Sequence, residues 1–388
     1  MTERENLWGF ISATVIFTAV FIASGMPIPL YNIYIQNLGL DKSALSLTAV
    51  MYFLGTVTAL MFFARLSNHW GRKPVLFITL TLGLGGCVLL LHVDTVWHLM
   101  IGRLLQGLSC GLASSTATAF IVDNEPKNYT GWGAALIGSM PNVGIVAGAL
   151  VVGLINYFFS SLEFGFVLSI VILLVGGGML VRCRETMSRQ PGVLGSLMPK
   201  VQLPPAVKRF LPAASCAFAG SWAVGGYYQA FSSAIAMQQF GLQNTFAASL
   251  VLVSFILPIA FGAILARGRD SFTVQRWGMT VFFASMVGVL LSFHGSSIVP
   301  FLIVNMIAGA AEGATFTASM SCILDKTTLE ERAGVLSVIY IISYGGAVVP
   351  NIVVSRIADG LTLYELTAGY VVLVGVAWLL MLLTAKRE

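Results

Sequence analysis

Charge is what this sequence holds least of. Asp, Glu, Lys and Arg together make up 10% of its 388 residues against 57% hydrophobic residues, and the mean hydropathy is +0.87. That is too little polar side chain to cover a soluble globule, and it places the chain in lipid. The four histidines, His69, His92, His98 and His294, fall in the breaks and at the ends of apolar runs, a placement that suits solvated or interfacial roles better than metal binding. The five cysteines (Cys87, Cys110, Cys183, Cys216 and Cys322) are scattered without paired spacing, so neither a disulfide framework nor a thiolate metal site is indicated. There is no Walker A loop, no pair of catalytic carboxylates and no Ser-His constellation. No enzyme activity, metal or cofactor is therefore expected. The excess of 21 basic over 16 acidic residues does not imply nucleic acid, because Lys and Arg sit in short hydrophilic breaks rather than on one basic face.

What fills the chain instead is apolar runs. A helical span needs roughly 20 apolar residues to cross a hydrocarbon core of about 30 Å. Hydropathy predicts spans near 8–30, 44–64, 75–93, 97–121, 132–157, 163–182, 210–236, 245–266, 274–293, 297–323, 333–357 and 362–384. They leave no room for a separate soluble domain. The runs are continuous rather than alternating, so they read as helices and not barrel strands. The segment at Met1–Glu5 carries mixed charge with no convincing cleavage site after it, so span one reads as a retained helix. With the N-terminus placed in the cytoplasm, only Lys42 and Arg356 of the 21 basic residues fall outside and Arg103 lies within a span, which leaves eighteen inside. This asymmetry predicts an even number of spans with both termini cytoplasmic, in a cell's inner membrane. The longest break, 183–208, holds Pro191, Gly192, Pro199, Pro204 and Pro205 and reads as a cytoplasmic linker. The expected domains are a six-helix bundle over 1–182, the linker 183–208, and a second bundle over 209–388.

An internal repeat supports that division. Residues 107–123, GLSCGLASSTATAFIVD, align without a gap with 309–325, GAAEGATFTASMSCILD, at an offset of 202. Gly107 meets Gly309, Gly111 meets Gly313 and Asp123 meets Asp325. An even number of spans separates the copies, so both run in the same direction through the bilayer.

The break between spans two and three, ARLSNHWGRKPVL at 64–76, resembles the signature loop of the major facilitator superfamily, glycine-x-leucine-alanine-aspartate-arginine-x-glycine-arginine-lysine. Leu66, Gly71, Arg72 and Lys73 match; Ala64, Ser67, Asn68 and His69 depart from it. The resemblance implies a conformational latch at the cytoplasmic helix ends, in which Arg72 pairs with an acid at the end of span four, here Asp123. Asn68 stands where the family has an aspartate and lacks its charge, which predicts a weaker latch. Arg72 and Lys73 also fix topology without any latch. Span four begins LMIGRLLQGLSCG, similar to the family's second motif through Leu99, Arg103, Gln106 and Gly107. Span five is glycine-rich and resembles the antiporter motif at Gly144 and Gly148, with Ala149 where proline is expected and Pro141 and Asn142 earlier. RCRETMSR at 182–189 resembles the proline-glutamate-threonine ending of span six, with Arg184 in place of proline. What the resemblance implies is an all-α membrane protein of twelve transmembrane helices in two pseudo-symmetric six-helix halves, closest to the drug and metabolite efflux group.

Two charges inside spans single themselves out. Arg103 costs at least roughly 2.5 kcal/mol to bury, so it is a candidate to grip an anionic group of a solute or to sense a nearby acid, although it also lies close enough to the helix end to snorkel. Glu312 is the sole carboxylate deep in a span, flanked by Gly309, Gly313, Thr315 and Thr317. Desolvation disfavours its charged form, as proton coupling requires; the competing role is a neutral or Arg-paired structural acid. Its repeat partner is Cys110, and that of Arg103 is Asn305. Pro27 and Pro29 loosen span one beside Tyr31, Asn32 and Tyr34, which are candidates to meet a ligand, Tyr34 being as well placed to anchor at the interface. Span one carries no acid, where many drug exporters of the family have one. Trp222, Tyr227, Tyr228, Gln229, Asn305, Tyr340, Tyr344 and Asn351 are further candidates to line a solute path or to pack helices. The function expected is a secondary transporter moving a small organic solute by alternating access. Proton-coupled efflux leads, uptake of a sugar or organic anion is the alternative, and a non-transporting sensor is a remote third. The proton gradient would supply the energy, and the solute and the lipid bilayer are the expected partners of a monomer.

Overall fold

The computed structural model describes residues 3–126, 131–199, 201, 203–328 and 331–387, with the side chains of Asn32 and Ala333 outside the description. Lys127 and Lys200 of the basic set also lie outside it. Apolar segments that find no water in lipid must bond their amides within themselves, and every long element is a helix. In chain order these are α1 (Glu3–Gly25, resumed as Pro27–Leu38), α2 (Lys42–Phe63), α3 (Arg72–Leu91), α4 (Val96–Asp123), α5 (Trp132–Phe159) and α6 (Glu163–Val181). They continue with α7 (Leu211–Ala234), α8 (Thr245–Ala266), α9 (Ser271–Ser292), α10 (Ile298–Leu324), α11 (Arg332–Ile357) and α12 (Leu363–Thr384).

Among the described residues eleven helices are long and apolar enough to cross a membrane. The remaining long helix is α7, whose Ser, Gly, Tyr and Gln residues dilute its hydropathy. Most of its residues are buried inside the protein, so it need not be apolar all round. The first span differs most from its expected bounds: it starts at Glu3 and runs past a break at Met26 to Leu38, because Pro27 and Pro29 interrupt the helix without ending it. The 183–208 segment holds two single-turn helices, Val193–Ser196 and Pro205–Lys208. Among the described residues wider π turns occur at Ala59–Phe63 within α2, at Ala113–Ala117 within α4 and at Ile235–Gln239 directly after α7.

The chain packs as two compact units. Unit one comprises the residues up to Leu30 and Met51–Pro199; unit two comprises Tyr31–Val50 and the chain after Pro199. The Tyr31–Val50 segment joins unit two through polar bonds. Lys42 Nζ donates to the Leu361 carbonyl, the Ser43 amide and hydroxyl donate to Asp359 at 3.2 and 2.6 Å, and the Ser46 hydroxyl donates to the Asn351 carbonyl at 2.7 Å.

Within each unit the same helix pairs recur. In unit one α1 packs on α5 and α6, and α3 on α4 and α6; in unit two α7 packs on α11 and α12, and α9 on α10 and α12. Glycines set the closest approaches. A Cβ at Gly107 would stand 2.1 Å from the Tyr52 carbonyl of α2, and one at Gly309 2.0 Å from the Phe255 carbonyl of α8. Gly111 and Gly313 repeat the arrangement against Thr56 and Ile259 at 2.5 and 2.0 Å. The correspondence reaches beyond the aligned stretch, because Gly144 presses on α1 and Gly346, again 202 residues on, presses on α7. In lipid such contacts replace the hydrophobic effect as the force between helices. Gly148→Val, whose Cβ would meet the Ile22 carbonyl at 2.1 Å, is expected to destabilise the α1–α5 pair by about 1–3 kcal/mol. Gly138→Val meets nothing within 4 Å and serves as control. Melting of the detergent-solubilised variants checks this, the first falling and the second holding.

Candidate functional site

In unit one the polar centre forms around the proline break of α1. Pro27 has no N–H to give the Ala23 carbonyl four residues back, which would leave that oxygen unbonded in an apolar interior. Gln106 of α4 supplies the missing donor, its Nε2 bonding the Ala23 carbonyl at 2.8 Å. One turn away Arg103, fully buried, donates from Nη1 to the Ser24 carbonyl at 2.7 Å and to Gln106 Oε1 at 3.0 Å. Its guanidinium carbon lies 4.5 Å from the centre of the Tyr52 ring of α2, a cation–π contact that further stabilises the enclosed charge. Further along α4 the Cys110 thiol points to the Val20 carbonyl at 3.9 Å.

In unit two the repeat partners carry other chemistry. Glu312, where α4 has Cys110, is 6% exposed, with Ser221 of α7 as its hydrogen-bonding side-chain neighbour; Oε2 has no hydrogen-bond partner among the described residues. Asn305, where α4 has Arg103, donates from Nδ2 to the Val251 carbonyl at 3.2 Å and to Ser254 Oγ at 2.8 Å, and its Oδ1 has no hydrogen-bond partner among the described residues. Tyr228 stacks on Phe255 with centroids 4.7 Å apart, its buried hydroxyl without a hydrogen-bond partner among the described residues. Trp222 and Tyr344 meet at 4.3 Å, and Tyr340 lies 6.3 Å beyond Tyr344.

The residues expected to form a latch lie at the ends of α2, α3 and α4. Arg72 Nε pairs with Asp123 Oδ2 at 3.0 Å, while Nη1 donates to Asn68 Oδ1 at 2.6 Å and to Ser67 Oγ at 2.8 Å. Gly71 turns the chain into α3 at φ 98°, a conformation open to glycine. The amides of Arg72 and Lys73 then donate to the two oxygens of Glu185 at 2.7 and 2.9 Å, so a carboxylate from beyond α6 caps the positive end of α3. Thr186 donates to Asp123 Oδ2 at 2.8 Å, and Lys73 Nζ returns to the Cys183 carbonyl at 2.5 Å, past the end of α6.

The sequence profile of the Major Facilitator Superfamily matches residues 13–350. The chain belongs to that superfamily. It is 31% identical over 127 residues to the tetracycline resistance protein, class H, of Pasteurella multocida, covering 32% of this chain and 31% of that one. It is 24% identical over 163 residues to the quinolone resistance protein NorA of Staphylococcus aureus, covering 40% and 42%. With sugar transport protein 12 of Arabidopsis thaliana the identity is 28% over 130 residues, covering 34% and 25%. The chain thus spans well under two thirds of the length of the curated relatives it matches. A crystal structure of a peptide transporter POT in complex with sulfate superposes with a TM-score of 0.75 at 17% identity, covering 97% of this chain and 93% of that one. A POT family transporter in complex with 5-aminolevulinic acid gives 0.73 at 13%, covering 98% and 94%. These identities speak for the fold.

Seen as a superfamily member, the chain brings together Arg103 with Gln106, Trp222 with Tyr344, and Asn68 with Arg72 and Asp123. Tyr228 and Asn305 border one turn of α8. Gln229 is buried on α7 and Asn142 half-buried on α5. Tyr31 is fully buried in unit two, and its hydroxyl has no hydrogen-bond partner among the described residues. The Asn32 side chain lies outside the described residues. Ser24, Tyr52, Glu185, Thr186 and Ser221 are contacts that sequence reading missed. Only the Arg-Glu-Thr run of the superfamily-like ending at 184–186 signalled any of them.

Gln106→Leu removes the donor to Ala23 and is expected to cost about 1–3 kcal/mol of stability, read as a lower melting temperature. Asn68→Asp turns the bond from Arg72 into a charge-assisted one and should raise the melting temperature at low ionic strength more than at high. A salt-independent change would speak against the charge.

Proposed function

We propose that this chain is a membrane transporter that couples a small organic solute to protons, working as an exporter that exchanges a drug-like compound or metabolite for H+. Glu312 carries the reading. It is a carboxyl enclosed midway along a membrane-spanning helix, with one oxygen unbonded and a single hydroxyl beside it. A group so placed changes its protonation only when water reaches it, which ties a proton to the conformation of the protein. The names of two relatives, resistance proteins for tetracycline and for quinolone, support export. The aromatic side chains Trp222, Tyr340 and Tyr344 and the amide of Gln229 suit an organic solute.

Uptake of a sugar or organic anion is the second reading, favoured by the sugar transport relative and by the cation Arg103. The enclosure of Arg103 against the Ser24 carbonyl, Gln106 and the Tyr52 ring weighs toward a helix-joining role for its charge. The surplus of Lys and Arg on one side of the spans supports a cell's inner membrane with both termini cytoplasmic, and the proton gradient is the energy source. The chain acts as a monomer.

In proteoliposomes under an imposed pH gradient, Glu312→Gln should cut gradient-driven tetracycline or norfloxacin flux at least tenfold. Exchange of the same compound without a gradient should persist. Gradient-driven flux equal to that of the unaltered protein would remove Glu312 from coupling.

A further inference from the structure

Along α7 the residues Ser221, Gly225, Tyr228 and Ser232 recur at i, i+4, i+7 and i+11, a single stripe of the helix. Along α10 Asn305 and Glu312 are likewise seven residues apart on one face. The stripes match level by level. Ser221 neighbours Glu312, whereas Tyr228 and Asn305 both border the Val251–Phe255 turn of α8, Tyr228 by stacking on Phe255 and Asn305 by bonding Val251 and Ser254. Seven residues of helix separate the levels by about 10 Å.

Both levels hold buried oxygens without a hydrogen-bond partner among the described residues: the Tyr228 hydroxyl, Asn305 Oδ1 and Glu312 Oε2. Tyr228 and Asn305 are fully buried and Glu312 is 6% exposed. Leaving each unmet costs stability, and protein interiors resolve such groups with ordered water. At a height between the two levels there is open space beside α7, since a Cβ at Gly225 would meet nothing within 4 Å. About three waters at a hydrogen-bond spacing of about 2.8 Å span the gap.

From this juxtaposition we infer that α7 and α10 hold a file of ordered water that carries protons between Glu312 and the membrane face at which α7 ends, with Tyr228 and Asn305 as its positioning residues. The inference rests on the proton role proposed for Glu312. Each water accepts a proton on one side and releases one on the other. The carboxylate gains the proton, the solution at that face loses it, and the file is unchanged. Little else competes for the charge on the helices packed against α10. α8 has no titratable side chain. α9 has Arg276, which lies over the Phe272 ring at 5.3 Å, and α7 has Cys216, Tyr227 and Tyr228, the Tyr227 hydroxyl being engaged by Thr367 at 2.5 Å. The proton would thus have its own way through unit two.

The test is infrared spectroscopy of oriented proteoliposomes after a pH step on the side where α7 ends, following the carboxylic-acid band that Glu312→Gln removes. Tyr228→Phe deletes an oxygen that bonds no described residue, and Gly225→Val fills open space, so both should keep the parent's melting temperature. Expected is at least a tenfold slower rise of the band in each, with the midpoint pH of its titration unchanged; a general structural defect would move the midpoint as well. Unaltered rates in both variants overturn the water file and leave the role of Glu312 standing. A spectrum in which Glu312→Gln removes no band overturns both.

Discussion

Inside a membrane a polar atom has only the protein to turn to, and much of this chain's interior follows from that. Where Pro27 withholds an amide, the Ala23 carbonyl needs a donor from elsewhere, and Gln106 stands opposite it. Once Gln106 is fixed, its own carbonyl oxygen accepts from Arg103 Nη1, which also donates to the Ser24 carbonyl. A cation in an oily interior is thereby held by a helix defect. Replacing the proline, the amide or the arginine alone would leave the other two mismatched.

The two units show what such a constraint leaves free. Their glycines press on neighbouring backbones at matching positions, so the helix framework is shared. The polar positions have diverged: α4 carries Arg103 and Cys110 where α10 carries Asn305 and Glu312. Backbone approach tolerates no side chain at Gly107 or Gly309, whereas one face of each helix accepts a cation, an amide, a thiol or an acid. One scaffold therefore offers a basic centre in unit one and an acidic one in unit two.

The spans were legible because hydrophobic length and flanking charge act locally, and the pairing of Arg72 with Asp123 because its residues lie in one loop and one helix end. Glu185 was not legible as a cap. It reaches the amide of Arg72 from 113 residues away, and no local pattern announces that a carboxylate will complete a distant helix end. Tyr52 escaped for the same reason, being one aromatic among many until Arg103 lies over its ring. The hydropathy of α7 is diluted by the same Ser, Gly and Tyr residues that its buried setting tolerates. The grouping of Tyr31–Val50 with unit two rests on Lys42, Ser43 and Ser46, whose partners come from the far end of the sequence.

The π turns at Ala59–Phe63, Ala113–Ala117 and Ile235–Gln239 bear on how this chain can be compared with others. Each accommodates one residue more than a regular α-helix would at the same length. A homologue that lost the extra residue would keep every side chain on either side of the turn facing as it does here. The gain or loss of one position inside a hydrophobic segment is therefore structurally silent at these three places.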